Sequence, residues 1–160
     1  MDNLKLTIGI ATYNRQEKAI RLLHHLQSAI IQLEAQNMVE VILVNDGGQS
    51  DVLVKAGKAL REILPNFLFV NLASNLGVYG SKLTAMMFAK GEYYMHCDDD
   101  DEIDILMLTT IIDCLRGEPV EWLDDMIHSE HMAGPDILAI QFNCSKYLYG
   151  GNLGFKILDR

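Results

Sequence analysis

The sequence predicts an α/β fold with a mostly parallel central sheet flanked by helices. Short apolar segments typical of strands alternate with segments whose apolar residues recur at helical spacing. Four of the strand segments end directly in polar residues, as expected for a parallel sheet, where ligands bind beyond the carboxyl ends of the strands. With 160 residues, 49% of them hydrophobic, the chain has enough apolar material for one domain with a sizeable core.

The first half of the chain alternates strand and helix twice. Residues 4–11 are β-rich and end at a polar turn, and residues 15–35 carry apolar side chains at helical spacing. Residues 39–44 form a continuous apolar run, which is typical of a strand buried on both faces. The apolar spacing over 53–63 predicts a second helix, which Pro65 closes.

Three further strands and three further helices follow. They are, in order, a strand at 67–72, a helix at 79–90, a strand at 92–97, a helix at 103–116, a short helix from Pro119 and a strand at 136–142. Gly91 and Gly117 follow the third and fourth helices, where glycine commonly ends a helix. The chain contains no repeat and no linker, so a single domain over 1–160 is predicted.

Composition excludes several classes of partner and compartment. The net charge of −9 argues against nucleic acid or an anionic membrane surface as the main partner, but not against a nucleotide held with a divalent cation. No stretch approaches the roughly 20 apolar residues of a membrane span, and the N-terminus lacks the regions of a signal peptide, so we expect a cytoplasmic protein. Cys97, Cys114 and Cys144 are isolated, which indicates reduced thiols rather than a disulfide or zinc site.

Two turns at the predicted sheet edge carry candidate base-binding residues. Tyr13 offers a flat face to a nucleotide base and Thr12 offers a hydroxyl, while Asn14 is a candidate cap for the next helix. Asp46, in the turn 45–48, can accept an N–H from uracil, thymine or guanine, and the two glycines of this turn allow a ligand to approach closely. A turn without a ligand is the alternative interpretation.

The third turn leads into the third predicted helix. Asn75 and Gly77 lie at its start, and Lys82 lies inside the helix. The N-terminus of a helix is a ready site for an anion, and Lys82 could add positive charge against a diphosphate. An ordinary surface lysine is the alternative.

Residues 98–101 are four consecutive aspartates. Two such charges about 4 Å apart repel by roughly 1 kcal/mol in water and about 4 kcal/mol at a surface-like dielectric, so a partner is expected. On an extended segment Asp98 and Asp100 face one side, where they can share a cation such as Mg²⁺ together with substrate phosphates. Asp101, with Asp104 three positions on, is predicted to cap the fourth helix.

Four segments, in order and spacing, resemble the nucleotide-binding half of family 2 glycosyltransferases with the GT-A fold. They are TIGIATYNRQEKAIRLLHHL, VEVILVNDGG, NLGVYGSKLTAM and KGEYYMHCDDDDEID. The resemblance implies a Rossmann-like GT-A domain in which residues 1–115 bind a nucleotide sugar. Residues 116–160 would then begin an acceptor-side part. A truncated chain, a natural fragment and a minimal enzyme all stay open.

The resemblance also implies a role for each candidate residue. The base would be held by Thr12, Tyr13 and Asp46, and the nucleotide-sugar pocket would be lined by Asn75, Gly77 and Lys82. Asp98 would approach the ribose or sugar. Asp100, with Asp98, would ligate Mn²⁺ or Mg²⁺ bridging the diphosphate, and Asp99 would be the spacer of a D-x-D motif. The sequence departs from the family at Asn45 and Gly48, where Asp and Ser are usual, and at Lys82-Leu83, where Arg-Asn is usual.

The implied function is metal-dependent transfer of a sugar from a nucleoside-diphosphate sugar, expected to be UDP-linked, to an acceptor hydroxyl with inversion. The acceptor, whether glycan, lipid-linked or protein, and the general base are not identified. A truncated or degenerate domain that binds nucleotide sugars without catalysis is the first alternative. A nucleotidyltransferase is the second, but it would carry a glycine-rich loop after the first strand, where ATYNRQEK has no glycine.

Overall fold

The structure, a computed structural model, describes residues 4–117 and the short strand 155–156. Its elements are β1 Leu6–Thr12, α1 Gln16–Gln32, β2 Val39–Asn45, α2 Asp51–Ile63, β3 Phe67–Asn71, α3 Gly77–Phe88, β4 Tyr93–Asp98, α4 Ile105–Arg116 and β5 Phe155–Lys156. The predicted elements up to residue 116 are confirmed, with ends that differ by a few residues. The short helix predicted from Pro119 and the strand predicted at 136–142 lie outside the described residues.

The strands form one sheet in the order β3-β2-β1-β4-β5. The first four strands are parallel, and β5 pairs antiparallel with β4. In the register, Thr12 lies opposite Asn45, Asn45 lies opposite Asn71, and Ala11 lies opposite Asp98. The predicted α/β fold is therefore confirmed, and the four parallel strands end together at one edge of the sheet.

Helices cover the sheet on both faces. Every residue of β2 is buried, which explains its continuous apolar run. Because side chains alternate along a strand, Val41 and Leu43 pack with α1, α2 and α4, whereas Ile42 and Val44 pack with α3. The buried side chains of α1 fall at helical spacing: Ala19, Leu22, Leu23, Leu26, Ala29 and Ile30. Each fully buried Leu or Ile contributes about 1.5–3 kcal/mol, so this face fixes α1 against the sheet.

A group of hydrogen bonds around the buried Glu40 fixes the start of β4, at the end of the sheet where the parallel strands begin. The carboxylate of Glu40 accepts hydrogen bonds from Thr7 Oγ1 at 2.7 Å and from the backbone N–H of Lys90 at 2.8 Å. The N–H of Gly91 donates in turn to Thr7 Oγ1 at 2.9 Å. These bonds connect the turn before β4 to β1 and β2. They therefore help to fix the register of β4 against β1, and with it the position of Asp98 at the other end of β4.

The two cysteines that the structure describes are both free thiols. Cys97 is buried, Cys114 is partly buried, and neither forms a disulfide, while Cys144 lies outside the described residues. Burial raises the pKa of the Cys97 thiol, and the neighbouring aspartates raise it further, which keeps the thiol protonated.

Within residues 4–117, no helix has both the length and the apolar character required to cross a bilayer.

Candidate functional site

The candidate site lies at the edge where the four parallel strands end. The structure brings all the predicted site residues to the loops and helix starts at this edge: Thr12, Tyr13, Asp46, Asn75, Gly77, Lys82, Asp98 and Asp100. Hydrogen bonds and ion pairs link neighbouring loops to one another. The convergence expected from the sequence therefore has a physical basis in direct contacts.

Asp46 and Gly47 lock the turn after β2 to the segment before α3. Asp46 is buried, and its Oδ1 accepts a hydrogen bond from the backbone N–H of Leu76 at 2.7 Å. Gly47 has a φ of +77°, and a Cβ at this position would lie 2.5 Å from the backbone nitrogen of Asn75. Only glycine fits this close approach, so the two loops behave as one unit. Within residues 4–117, no hydrogen bond or ion pair is made to the second carboxylate oxygen of Asp46.

The start of α3 is shaped by its own side chains. The N–H of Gly77 donates to Asn75 Oδ1 at 2.9 Å, and Gly77 has a φ of +76°. Asn75 is exposed beside Leu76, which occupies the N-cap position of α3 without a side-chain hydrogen bond. Asn75 thus accepts from the first N–H of α3, and within residues 4–117 no side chain accepts from the N–H groups of Val78 and Tyr79, so part of the positive dipole end stays open to an anion.

Lys82 does not extend into solvent as an ordinary surface lysine. Its Nζ lies 2.8 Å from Asp98 Oδ1, which bridges α3 and the end of β4. Burial alone would raise the pKa of Asp98, but the hydrogen bond and charge of Lys82, together with His96, hold this pKa below its ordinary value. Asp98 is thus an ionised carboxylate at neutral pH, half-exposed at the edge.

Behind Asp98, two further residues of β4 face α3. His96 Nε2 lies 3.2 Å from Asp98 Oδ1, and the hydroxyl of Tyr94 lies 3.3 Å from His96 Nδ1. Burial lowers the pKa of His96 and the charge of Lys82 lowers it further, against the opposing effect of Asp98. Burial raises the pKa of Tyr94. Both groups are therefore neutral at physiological pH.

Asp99, predicted to be the spacer of a D-x-D motif, is also buried and joined to other loops of the site. Its residue is only 1% exposed, and Oδ2 accepts hydrogen bonds from Thr12 Oγ1 at 2.7 Å and from Arg15 Nε at 3.1 Å. Arg15 Nη2 lies 2.7 Å from Oδ1, an ion pair without good hydrogen-bond geometry. Burial raises the pKa of Asp99, while Thr12 and Arg15 oppose that shift. The hydroxyl of Thr12 is buried with it and already donates its proton.

Asp98 and Asp100 do not face the same side, contrary to the expectation from strand periodicity. The strand ends at Asp98, and a turn follows, in which the N–H of Asp101 donates to the Asp98 carbonyl at 3.0 Å. Asp100 points towards α1, where its Oδ2 lies 2.8 Å from Arg15 Nη1 and 3.4 Å from Lys18 Nζ. Asp98 points towards Lys82 on α3, which covers the other face of the sheet.

The predicted helix caps at this edge were also wrong. Asp104, not Asp101, is the N-cap of α4, and its side chain accepts from the N–H of Leu106 at 2.7 Å. Asp101 instead accepts from the N–H of Asp98 at 2.9 Å and so closes the turn. Asn14 is not the cap of α1 either, because Arg15 occupies that position and Asn14 has a φ of +55°.

The donor set has the chemistry of a divalent-cation site. Asp98 and Asp100 have side chains that are 50% and 41% exposed. Over residues 4–117, no three His, Cys, Asp or Glu side chains gather in a way that could hold a metal ion. One or two carboxylates plus substrate phosphates is the set that Mg²⁺ usually takes. Each aspartate therefore fits as one carboxylate ligand of an ion whose remaining ligands come from phosphate, and a single shared ion requires at least one of the two side chains to turn from its present partner.

Four residues that the structure places at the site were not predicted from the sequence. Arg15 and Lys18 neutralise Asp99 and Asp100, and Tyr94 and His96 support Asp98. Two basic residues at the start of α1 were a signal for the first pair. The spacing of two residues between Tyr94, His96 and Asp98 on β4 was a signal for the second pair, since alternate residues of a strand share a face.

Comparison with known proteins places the chain among sugar-transferring proteins. Residues 7–125 match the family model described as Glycosyl transferase family 2. The chain is 36% identical over 98 residues to the uncharacterized glycosyltransferase YwdF of Bacillus subtilis (strain 168), a match that covers 61% of this chain and 33% of YwdF. The chain therefore spans about one third of the length of such relatives.

Solved structures show the same fold. TarS 1-349 of S. aureus in complex with UDP superposes with a TM-score of 0.60 at 22% identity, covering 71% of this chain and 32% of TarS 1-349. The mannosyltransferase PcManGT of Pyrobaculum calidifontis in complex with GDP-Man and Mn²⁺ superposes with a TM-score of 0.55 at 20% identity, covering 68% of this chain and 31% of PcManGT. These likenesses confirm the Rossmann-like GT-A fold that the sequence resemblance implied.

Proposed function

The chain belongs to glycosyl transferase family 2, and from this premise we propose that it binds a nucleoside-diphosphate sugar with Mn²⁺ or Mg²⁺ and transfers the sugar to an acceptor hydroxyl with inversion. UDP is the nucleotide that we assign to the donor. The observation that carries the proposal is the convergence at one sheet edge of a buried carboxylate, a helix start whose N-cap residue makes no side-chain hydrogen bond, and two exposed carboxylates. TarS bound to UDP and PcManGT bound to GDP-Man and Mn²⁺ support it by analogy.

The base is held between β1 and β2 in this proposal. Tyr13 is 47% exposed and offers its ring as a stacking surface. Asp46 uses one oxygen to hold the backbone of Leu76, and its second oxygen accepts the N3–H of uracil. Thr12 contributes indirectly, because its buried hydroxyl is engaged by Asp99 and fixes the segment that carries Tyr13.

The diphosphate lies at the start of α3. Asn75 and Gly77 set the geometry of that helix start, whose backbone N–H groups favour an anion. Lys82 stands one turn further along, against Asp98. A diphosphate arriving here brings two or more negative charges, and Lys82 is positioned to neutralise part of them while it keeps its contact with Asp98.

Asp98 and Asp100 are the residues that would hold the divalent ion. When bound, the ion supplies Lewis-acid stabilisation to the leaving diphosphate. Arg15 and Lys18 pair with Asp100 in the protein alone, as Lys82 pairs with Asp98, so both carboxylates are held at the edge without a metal. The protein cations thus offset the repulsion among the aspartates until donor and ion arrive.

Transfer also needs an acceptor site and a base that removes a proton from the acceptor hydroxyl. The donor half is the part that the described residues support, and the chain spans about one third of the length of its relatives. Donor binding and sugar transfer are therefore separate measurements. Binding with no turnover in the presence of added acceptors would identify a non-catalytic donor-binding domain.

Calorimetric titration of the full chain with UDP in the presence of Mn²⁺ tests the assignment of Asp100. We expect Asp100→Ala to abolish the metal dependence of UDP binding. Asp113→Ala is the matched control, because it removes the same charge from α4, where Asp113 pairs only with Arg116 among the described residues. Unchanged affinities for Mn²⁺ and UDP in Asp100→Ala would overturn the assignment.

A further inference from the structure

A row of polar side chains runs along β4 beneath the candidate site. Tyr94, His96 and Asp98 are alternate residues of one strand, so all three face α3. The Tyr94 hydroxyl lies 3.3 Å from His96 Nδ1, and His96 Nε2 lies 3.2 Å from Asp98 Oδ1. The row ends at Lys82, whose Nζ lies 2.8 Å from the same Asp98 oxygen.

The neighbouring strand is shaped to admit this row. Gly9 of β1 lies opposite His96 in the parallel register. A Cβ at Gly9 would lie 2.7 Å from Tyr94 Cζ and closer still to the Tyr94 hydroxyl, so a side chain at this position cannot coexist with the present ring position. An apolar residue would be usual inside a central parallel strand. The glycine therefore leaves the space in which the Tyr94 hydroxyl meets His96.

The hydrogen-bond pattern assigns the proton positions. Because the ionised Asp98 carboxylate can only accept, the neutral imidazole of His96 donates from Nε2 to Asp98 Oδ1, and its Nδ1 accepts from the Tyr94 hydroxyl. Oδ1 of Asp98 thus receives two donors, from His96 and from Lys82. Within residues 4–117 no hydrogen bond or ion pair is made to Oδ2, and the side chain is 50% exposed, so Oδ2 is available to a ligand.

We propose that His96, oriented by Tyr94, is a positioning residue that holds the Asp98 carboxylate with one oxygen against the protein and the other towards the donor. This inference rests on the proposed function, in which Asp98 contacts the ribose or sugar and the metal. A carboxylate on a strand end is free to rotate about χ1 and χ2, and two fixed donors on one oxygen remove that freedom before the donor arrives. Preorganisation of this kind strengthens binding because less ordering remains to be done.

The test compares two ligands, of which only one carries the diphosphate and the metal. UDP with Mn²⁺ engages the diphosphate end of the site, whereas uridine engages Tyr13 and Asp46 and can reach Asp98 only through its ribose. We expect His96→Leu to weaken UDP–Mn²⁺ binding about tenfold, the usual size for losing a hydrogen bond to a charged group, and to weaken uridine binding less, because uridine lacks the diphosphate and the metal. His96→Gln, whose amide nitrogen can replace Nε2 as a donor, should restore most of the affinity.

Two milder variants keep the test decisive if His96→Leu does not fold. Tyr94→Phe removes only the hydroxyl that orients His96, and Gly9→Ala displaces the Tyr94 ring without removing any polar group. Both are expected to weaken UDP–Mn²⁺ binding more than uridine binding. Equal losses for the two ligands, or no recovery in His96→Gln, would reduce His96 to a packing residue and overturn the proposal.

Asp98→Asn separates this proposal from the one on which it rests. If wild-type chain binds no UDP, or if Asp98→Asn binds UDP–Mn²⁺ as wild type does, the proposed donor site fails and the positioning role fails with it. If Asp98→Asn weakens binding and the His96 and Tyr94 variants do not, the donor site stands and only the positioning role is overturned.

Discussion

Thr12 Oγ1 donates a hydrogen bond to Asp99 Oδ2 across 2.7 Å, and this contact joins the end of β1 to the end of β4. Residues 87 positions apart in the chain are thereby held side by side at the centre of the site. Arg15 adds an ion pair on the solvent side of the same carboxylate. Asp99 is thus the residue that ties the first loop of the site to the aspartate segment.

Removing the Asp99 carboxylate should destabilise the fold. Asp99→Ala leaves the buried Thr12 hydroxyl without its acceptor, and we expect a loss of about 1–3 kcal/mol in the free energy of unfolding. Denaturant unfolding followed by circular dichroism measures it. Asp100→Ala is the control, since that side chain is 41% exposed and its ion pairs are worth about 0–1 kcal/mol. Equal losses in both variants would show that the Thr12–Asp99 bond has no special weight.

Two glycines with the same backbone conformation should differ in their tolerance of alanine. Gly47 and Gly77 have φ values of +77° and +76°, so alanine at either position carries the left-handed penalty of about 1–2 kcal/mol. Only at Gly47 would the added Cβ meet neighbouring backbone, at 2.5 Å from the nitrogen of Asn75; nothing lies within 4 Å at Gly77. We therefore expect Gly47→Ala to destabilise the protein by about 1–3 kcal/mol more than Gly77→Ala. Thermal unfolding of both variants checks this, and similar melting temperatures would contradict it.

The start of α4 should depend on Asp104. Asp104→Ala removes the side-chain acceptor for the N–H of Leu106 and should cost about 0.5–2 kcal/mol, whereas Asp104→Asn keeps an acceptor and should cost less. Hydrogen exchange at the amides of the first turn of α4 reports the same change locally. If Asp101→Ala loosened that turn and Asp104→Ala did not, the cap would belong to Asp101 after all.

His96 should make the metal-free protein less stable in mild acid. Burial, together with Lys82, lowers the pKa of His96 in the folded state below its ordinary value of about 6.5. As the pH falls below about 6.5, the unfolded chain binds a proton that the folded chain does not, so the free energy of unfolding decreases with falling pH. His96→Gln cannot take up that proton. Its unfolding free energy, measured with EDTA at pH 7.5 and 5.5, should fall less than that of wild type; parallel falls would rule out the contribution of His96.

The fold could be predicted from local patterns because each element carries its own signal. The apolar run 39–44 is buried on both faces of the sheet, and the spacing of Leu22, Leu23 and Leu26 marks the inner face of α1. Element ends were less certain. Asp101 and Asp104 have equally good capping side chains, and only the backbone turn between Asp98 and Asp101 decides which of them reaches the helix.

The site could be predicted only in part, since long-range pairing depends on strand order. Polar residues after each strand pointed to one edge, which the register confirms. The partners of the aspartates were not predictable from spacing, because Arg15 and Lys18 meet Asp100 only when β1 lies beside β4. The prediction that Asp100 faces the same side as Asp98 was wrong because strand alternation stops at Asp98. The strand ends there, and the turn that follows changes the direction of the next side chains.

Thermal unfolding of the full chain with and without UDP-sugars and Mn²⁺ is the most direct test of the proposed donor site. A ligand that binds only the folded state at a hundred times its Kd adds about 2.7 kcal/mol to the free energy of unfolding, which is readily measured. We expect a rise in melting temperature with a UDP-sugar and a larger rise when Mn²⁺ is present. In Asp100→Ala, the additional rise with Mn²⁺ should be lost. No rise with any nucleoside-diphosphate sugar, with or without the metal, would contradict it.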